Sequence, residues 1–376
     1  MTLHFPDIFE QFCCTGSLCE DNCCKIGWDI EIDKDTYSFY KSLDSELGRR
    51  LINSIYEEEG CLYMSQPRGC PFMNEQGLCS VQLAHGEEHI SDICREHPRF
   101  YEWFNDYKEA GVGLCCEEVC RLICAHPKPI LFSEKETDEE PDDLEFDPEL
   151  LKGVKKIRDR IIDILQDRGF SLTERLGIIL CAEEDIQQAV LDEDPHRLTQ
   201  LSGMLAIDGF RIEIVNECRD GIYMEQHKAY RAMLDVLGRM EYIHPQLKEL
   251  FETDDKQLEE ILSKERLFDR EYKDLSYELE HIAVYFIYRY LIKAVRDGAV
   301  TERLYMAVFC TLAVRLLFLK EYSEKNSLPE TPRREWLIKE FSKEIEYSAD
   351  NMDIIYEEIQ EGCVTYSMLQ GMLSGE

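Results

Sequence analysis

A chain of 376 residues with 42 basic and 77 acidic side chains carries a formal charge of −35. Such a charge repels phosphate backbones and anionic membrane surfaces, so it argues against nucleic-acid and membrane roles, keeps the protein soluble and steers in a basic, lysine-bearing protein partner. Seventeen cysteines, thirteen of them before residue 125, mark a cysteine-bearing N-terminal module.

The chain opens on MTLHFPDIFEQF, with no basic segment followed by an apolar run, which predicts a cytoplasmic protein with reduced thiols rather than a disulfide framework. FCCTGSLCEDNCC, residues 12–24, then places five cysteines together. WDIEID (28–33) alternates apolar and polar residues and predicts one short strand. YSFYKSLDSELGRRLINSIYEEE (37–59) predicts a helix, and Gly60 to Gly77 a loop. The aromatic run RFYEWFNDYKE (99–109) reads either as a buried element with alternating faces or as a wall that receives an alkylammonium group through cation–π contact.

The module is predicted over residues 1–132, an acidic linker over 133–149, where like charges and two prolines replace the apolar pattern, and a helical domain over 150–376. The fold class is therefore mostly α. Asp147 and Pro148 start a helix with Leu151, Val154, Ile157, Ile161, Ile162 and Leu165 on one face, and Ser171 with Glu174 forms a capping box before the next. Further helices are predicted over 223–240, 255–264, 270–297, 301–324, 333–347 and 350–361, with Thr331 and Pro332 as a capped start. The apolar stretches 281–295 and 304–319, interrupted by Arg289 and Arg315, read as buried helices and not as membrane spans. Cys181, Cys218, Cys310 and Cys363 read as small buried hydrophobes.

Clustered thiols in a reducing compartment point to a metal, because thiolates are soft donors for zinc and for iron–sulfur clusters. No two cysteines have the C-x2-C spacing of zinc ribbons or of bacterial ferredoxins. Cys14, Cys19 and Cys23 miss the plant-type ferredoxin spacing by one residue, and Cys19 and Cys23 miss the C-x3-C-x2-C triplet of radical enzymes because Ile26 holds the third place. What stands is C-x4-C-x3-C-C (Cys14, Cys19, Cys23, Cys24), followed by RGCPF (Cys70), GLCS (Cys79), DICREHPR (Cys94) and GLCCEE (Cys115, Cys116). Eight thiols exceed the four that one four-iron cluster needs, so two sites, or one site with spectators, stay open.

Residues 4–124 resemble the flagellin lysine-N-methylase family, within the broader group of zinc- or iron-chelating cysteine-cluster domains. The resemblance rests on Pro6, Phe12, the Cys14 to Cys24 block, Gly27 and Trp28, "I-D-x-x-T-Y-x-x-Y" from Ile32 to Tyr40, "G-C-P-F" at 69–72, "G-L-C" at 77–79, "C-R-x-x-P-R" at 94–99 and the segment from Cys116 to Leu122. It implies metal binding by Cys14, Cys19, Cys23, Cys24, Cys70, Cys79, Cys94 and Cys116, as an iron–sulfur cluster of the 4Fe-4S kind with zinc as the alternative. It also implies methyl transfer from S-adenosylmethionine to surface lysines of flagellin. Cys13, Cys61, Cys115, Cys120 and Cys124 have no counterpart, and the last two read as packing residues. Trp28 reads as a core anchor, Arg95 and Arg99 as partners of thiolates or carboxylates, and His97 as a further ligand candidate.

Methyl transfer demands a neutral amine, and exposing one from lysine near pH 7 costs roughly 4 to 5 kcal/mol. No G-x-G-x-x-G follows a strand, so a methyl donor binds outside a doubly wound dinucleotide fold. Two other classes remain open: a zinc- or iron-binding interaction module without enzymatic activity, and a redox or electron-transfer iron–sulfur protein.

Overall fold

The computed structural model describes residues 1–25, 29–66, 69–141 and 146–374. Gly27 and Trp28 lie outside the described residues. The chain divides into two compact units, 1–122 with 131–142, and 123–130 with 143–376.

The first unit runs β1 (Thr2–Pro6), α1 (Asp7–Gln11), β2 (Ile30–Glu31), α2 (Lys34–Ser42), α3 (Glu46–Asn53), β3 (Ile55–Glu58), β4 (Cys61–Met64), α4 (Ser80–His85), α5 (Asp92–Glu96), β5 (Arg99–Phe104), β6 (Tyr107–Val112), α6 (Glu117–Cys124), whose last two residues belong to the second unit, and β7 (Phe132–Glu136). One sheet has the order β5-β6-β1-β7, with β1 parallel to β6 and antiparallel to β7; the other has the order β2-β4-β3. The unit thus holds more strand than the one segment expected at 28–33. The reason lies in the patterns: β6 is buried at every residue, so it lacks the period-two alternation of a half-buried strand. The helix expected over 37–59 is interrupted because Leu43 is extended and the Ser45 hydroxyl caps α3, accepting from the Gly48 N–H at 3.1 Å. The strand β3 follows, and its partner β4 occupies part of the loop expected at 60–77.

The acidic segment expected as a linker begins as strand β7, paired to β1 from Phe132 to Pro6 through Glu136 to Thr2. Charged side chains are what an edge strand carries to avoid further pairing. Asp142 to Glu145 lie outside the described residues.

Among the described residues the second unit is helical, as the fold class requires. It runs α7 (Pro148–Leu165), α8 (Leu172–Leu191), α9 (Pro195–Leu205), α10 (Asp208–Asp220), α11 (Gln226–Leu237), α12 (Pro245–Phe251), α13 (Asp255–Ser263), α14 (Glu265–Tyr272), α15 (Tyr277–Tyr290), α16 (Ala294–Asp297), α17 (Val300–Lys325), α18 (Thr331–Glu346), α19 (Ala349–Gln360) and α20 (Tyr366–Leu373). Asp147 accepts from the Glu149 N–H at 2.8 Å, and the Ser171–Glu174 capping box is complete. Thr331 is not a cap but the first helical residue; its hydroxyl instead accepts from Arg334.

The predicted apolar stretches become α15 and α17, buried on nearly all sides, and no helix among the described residues is long and apolar enough to cross a membrane. Their charges are paired within the core. Arg315 meets Glu265 and Asp269, each at 2.6 Å, and Arg289 meets Glu346 at 2.7 Å. Of the four later cysteines only Cys310 is a buried hydrophobe. Cys363 is exposed, and Cys181 and Cys218 are half-buried and face each other.

Candidate metal centre

The first unit's core gathers Ile30, Ile32, Tyr40, Leu51, Met64, Phe72, Val81 and Ile90, with Cys70 and Cys79 packed against it. Asp33 explains the "I-D-x-x-T-Y" pattern. One of its carboxylate oxygens caps α2 by accepting from the Thr36 N–H at 2.8 Å, and the other accepts from the Asp92 N–H at 3.1 Å, which anchors the start of the helix that bears Cys94. The next loop is fixed just as locally. The Asn74 side chain accepts from the Gln76 and Leu78 N–H groups at 3.0 and 2.9 Å, and the Ser80 N–H donates to the Phe72 carbonyl at 2.8 Å, which turns Cys70 and Cys79 to the same side.

Four thiols meet there. Cys24, Cys70, Cys79 and Cys94 each lie within electrostatic reach of the other three, and three of them raise the pKa of the buried Tyr40 hydroxyl, itself raised chiefly by burial. Burial pushes Cys70 up to about 11 and Cys94 up to about 12, and raises Cys79. Two of the sulfurs also receive donors: the Phe72 and Met73 N–H groups at Cys70 and those of Val81 and Gln82 at Cys79. Cys24 goes the other way, down to about 7, because the Cys23 thiol donates to it while burial opposes. Cys23 is held up by that same bond.

Cys14, Cys19 and Cys116 form a second neighbourhood. Cys116 lies within electrostatic reach of both Cys14 and Cys19 and accepts from the Glu118 and Val119 N–H groups; Cys19, pushed up to about 12 by burial first and then by Glu117, accepts from that of Asp21. Glu117 also accepts from the Glu20 and Asp21 N–H groups at 3.3 and 3.4 Å, tying the Cys19 turn to the start of α6. Cys23 lies between the neighbourhoods, within electrostatic reach of Cys14 and Cys94.

These donor sets fit a thiolate-bound metal centre, since N–H groups aimed at sulfur favour the ionised form a metal requires.

Arg95 pairs with the carboxylates of Asp92 and Glu96, and Arg99 lies over the Phe12 ring at 5.0 Å. His97 precedes the turn to β5 and is bonded through its own N–H to the Ile93 carbonyl. Cys120 is buried with its thiol donating to the Leu114 carbonyl at 3.0 Å, Cys124 and Cys115 are buried, and Cys13 and Cys61 are exposed. The aromatic run is the β5–β6 hairpin, and the alkylammonium on its rings is the protein's own: Lys108 Nζ lies 4.5 Å from the Tyr101 ring centre and 4.8 Å from that of Trp103. Sequence reasoning missed Asp33 and Tyr40 as supports of the centre, although both stand in a motif it had singled out.

Residues 158–374 match the family described as the FliB lysine N-methylase C-terminal domain. The chain belongs to the FliB lysine N-methylase family. It is 30% identical over 143 residues to the protein named lysine-N-methylase of Salmonella typhimurium strain LT2, a stretch covering 36% of this chain and 35% of that one. The namesake of Salmonella choleraesuis is equally similar. The flagellar biosynthetic protein FliU of Salmonella muenchen is 29% identical over 145 residues, 36% of this chain and 85% of FliU. The chain thus spans about a third of the length of the lysine-N-methylases it matches. No solved structure matches it.

Proposed function

We propose that the chain is a protein-lysine N-methyltransferase that moves methyl groups from S-adenosylmethionine to surface lysines of flagellin, with an iron–sulfur cluster on the cysteines of the first unit. The observation that carries this reading is the match of residues 158–374 to a lysine N-methylase domain. The flagellar name of one relative favours a flagellar substrate. Cys24, Cys70, Cys79 and Cys94 are the four thiolates that would hold the cluster. When bound, it supplies a cross-link between their loops and a one-electron redox centre.

The transfer forms one C–N bond as the amine lone pair attacks the methyl carbon, breaks one C–S bond as the sulfonium leaves as a thioether, and releases one proton from nitrogen. The chain's −35 charge draws in a lysine-rich surface but also favours the ammonium form. A desolvated channel is therefore needed to release the proton and align the two reactants. The helical second unit has no strand among its described residues, so the donor would bind without a doubly wound sheet.

The test is to incubate protein purified without oxygen with flagellin and S-adenosylmethionine labelled in its methyl group. The reading expects label in flagellin as methyl-lysine, in proportion to enzyme. Unlabelled flagellin, with metal-replete protein and intact donor, overturns it.

A further inference from the structure

A second thiol site, unrelated to the cysteine-rich unit, sits among the helices of the second unit. Cys181 on α8 and Cys218 on α10 bring their sulfurs to 3.0 Å from each other, and the Tyr366 hydroxyl on α20 lies 3.0 Å from Cys181. The Gln370 amide, 2% exposed, bonds the Gly177 carbonyl at 3.3 Å and reaches the Cys218 and Cys181 sulfurs at 3.5 and 3.7 Å. Beside them opens a cavity of about 340 Å³ whose wall includes Thr173, Glu174, Gly177, Cys218, Arg219 and Gln370. Cys218 is thus the thiol that a small molecule meets first. Two packing cysteines need no such arrangement of a cavity, a hydroxyl and a buried amide converging on paired sulfurs.

We propose that Cys181 and Cys218 are a redox-active dithiol that reacts with low-molecular-weight disulfides entering this cavity and closes to a Cys181–Cys218 disulfide. The sulfurs have about 1 Å to travel to bonding distance. The pair holds one proton readily and the second weakly: Cys181 is pulled down to about 7, first by the Cys218 thiol and then, against burial, by the Tyr366 hydroxyl, while Cys218 is held up by the same bond. In the reaction Cys218 passes its proton to Cys181 and attacks one sulfur of the small disulfide, forming a mixed disulfide and releasing one thiolate. Cys181 then attacks the Cys218 sulfur, and its proton leaves with the second thiol. Two electrons and one proton from the pair reduce one disulfide to a thiolate and a thiol. The new bond staples α8 to α10.

The experiment treats the full, metal-replete chain with glutathione disulfide, blocks the remaining thiols with an alkylating agent and maps the peptides by mass. The proposal expects the Cys181 and Cys218 peptides joined to each other, and the link undone by reduced glutathione. In Cys181→Ser the Cys218 peptide should carry glutathione instead. Wild-type peptides in which both cysteines remain alkylated, carry glutathione separately or join to other cysteines overturn it. The wild-type map decides the question even where a serine variant fails to fold.

Discussion

The backbone N–H of Cys70 donates to the Cys24 carbonyl across 2.7 Å, bringing two loops distant in sequence together at the thiol quartet. Gly69 makes this approach possible. Its φ is +87°, and a Cβ there would stand 3.1 Å from the Cys24 oxygen. Gly69→Ala is expected to cost about 1–2 kcal/mol through the left-handed backbone alone, and the closer contact adds to it. The measurable result is a lower unfolding midpoint together with reduced metal content, with helicity retained.

Acid should weaken the second unit through His281. The ring is 1% exposed, its Nε2 lies 2.8 Å from the His126 carbonyl, and burial is the chief cause that lowers it from 6.5 to about 4. With Nε2–H donating, Nδ1 is buried without a hydrogen-bond partner, so the ring is neutral when folded. The unfolded chain takes up a proton below about pH 6.5 and the folded chain does not. The stabilisation is therefore complete above that pH and is lost as pH falls towards 4, by about 3 kcal/mol. Urea midpoints of wild type and His281→Gln should diverge at neutral pH and converge as the medium is acidified, because glutamine keeps a donor but does not titrate.

Arg315 is a structural charge. Its guanidinium, 5% exposed on the side chain, bonds Glu265, Asp269 and the Tyr230 hydroxyl. Removing one partner of a buried ion pair leaves an uncompensated charge, so Arg315→Ala should lose about 3–5 kcal/mol. Adding Glu265→Gln and Asp269→Asn should restore part of that loss, which chemical denaturation of the three proteins would read.

Much of this was legible before the fold. Capped helix starts at Asp147 and Ser171, and the buried character of α15 and α17, follow from local rules that act within one or two turns. The grouping of Cys24 with Cys70, Cys79 and Cys94 was not legible, because it depends on the bond between Cys70 and Cys24 and on the double use of Asp33, both long-range. Strand β6 escaped because burial on both faces removes its alternation. Cys181 and Cys218 passed as hydrophobes because each, read singly on its helix, has an ordinary spacing; only the packing of α8 against α10 makes them a pair.

The most direct measurement is iron, zinc and acid-labile sulfide analysis, with an absorption spectrum, on protein purified without oxygen, for wild type, Cys79→Ser and Cys61→Ser. A cluster on the quartet predicts iron and sulfide in equal amounts with visible charge-transfer bands, lost in Cys79→Ser and kept in Cys61→Ser, whose thiol is exposed on β4. Zinc without sulfide, or iron unaffected by Cys79→Ser, would contradict it.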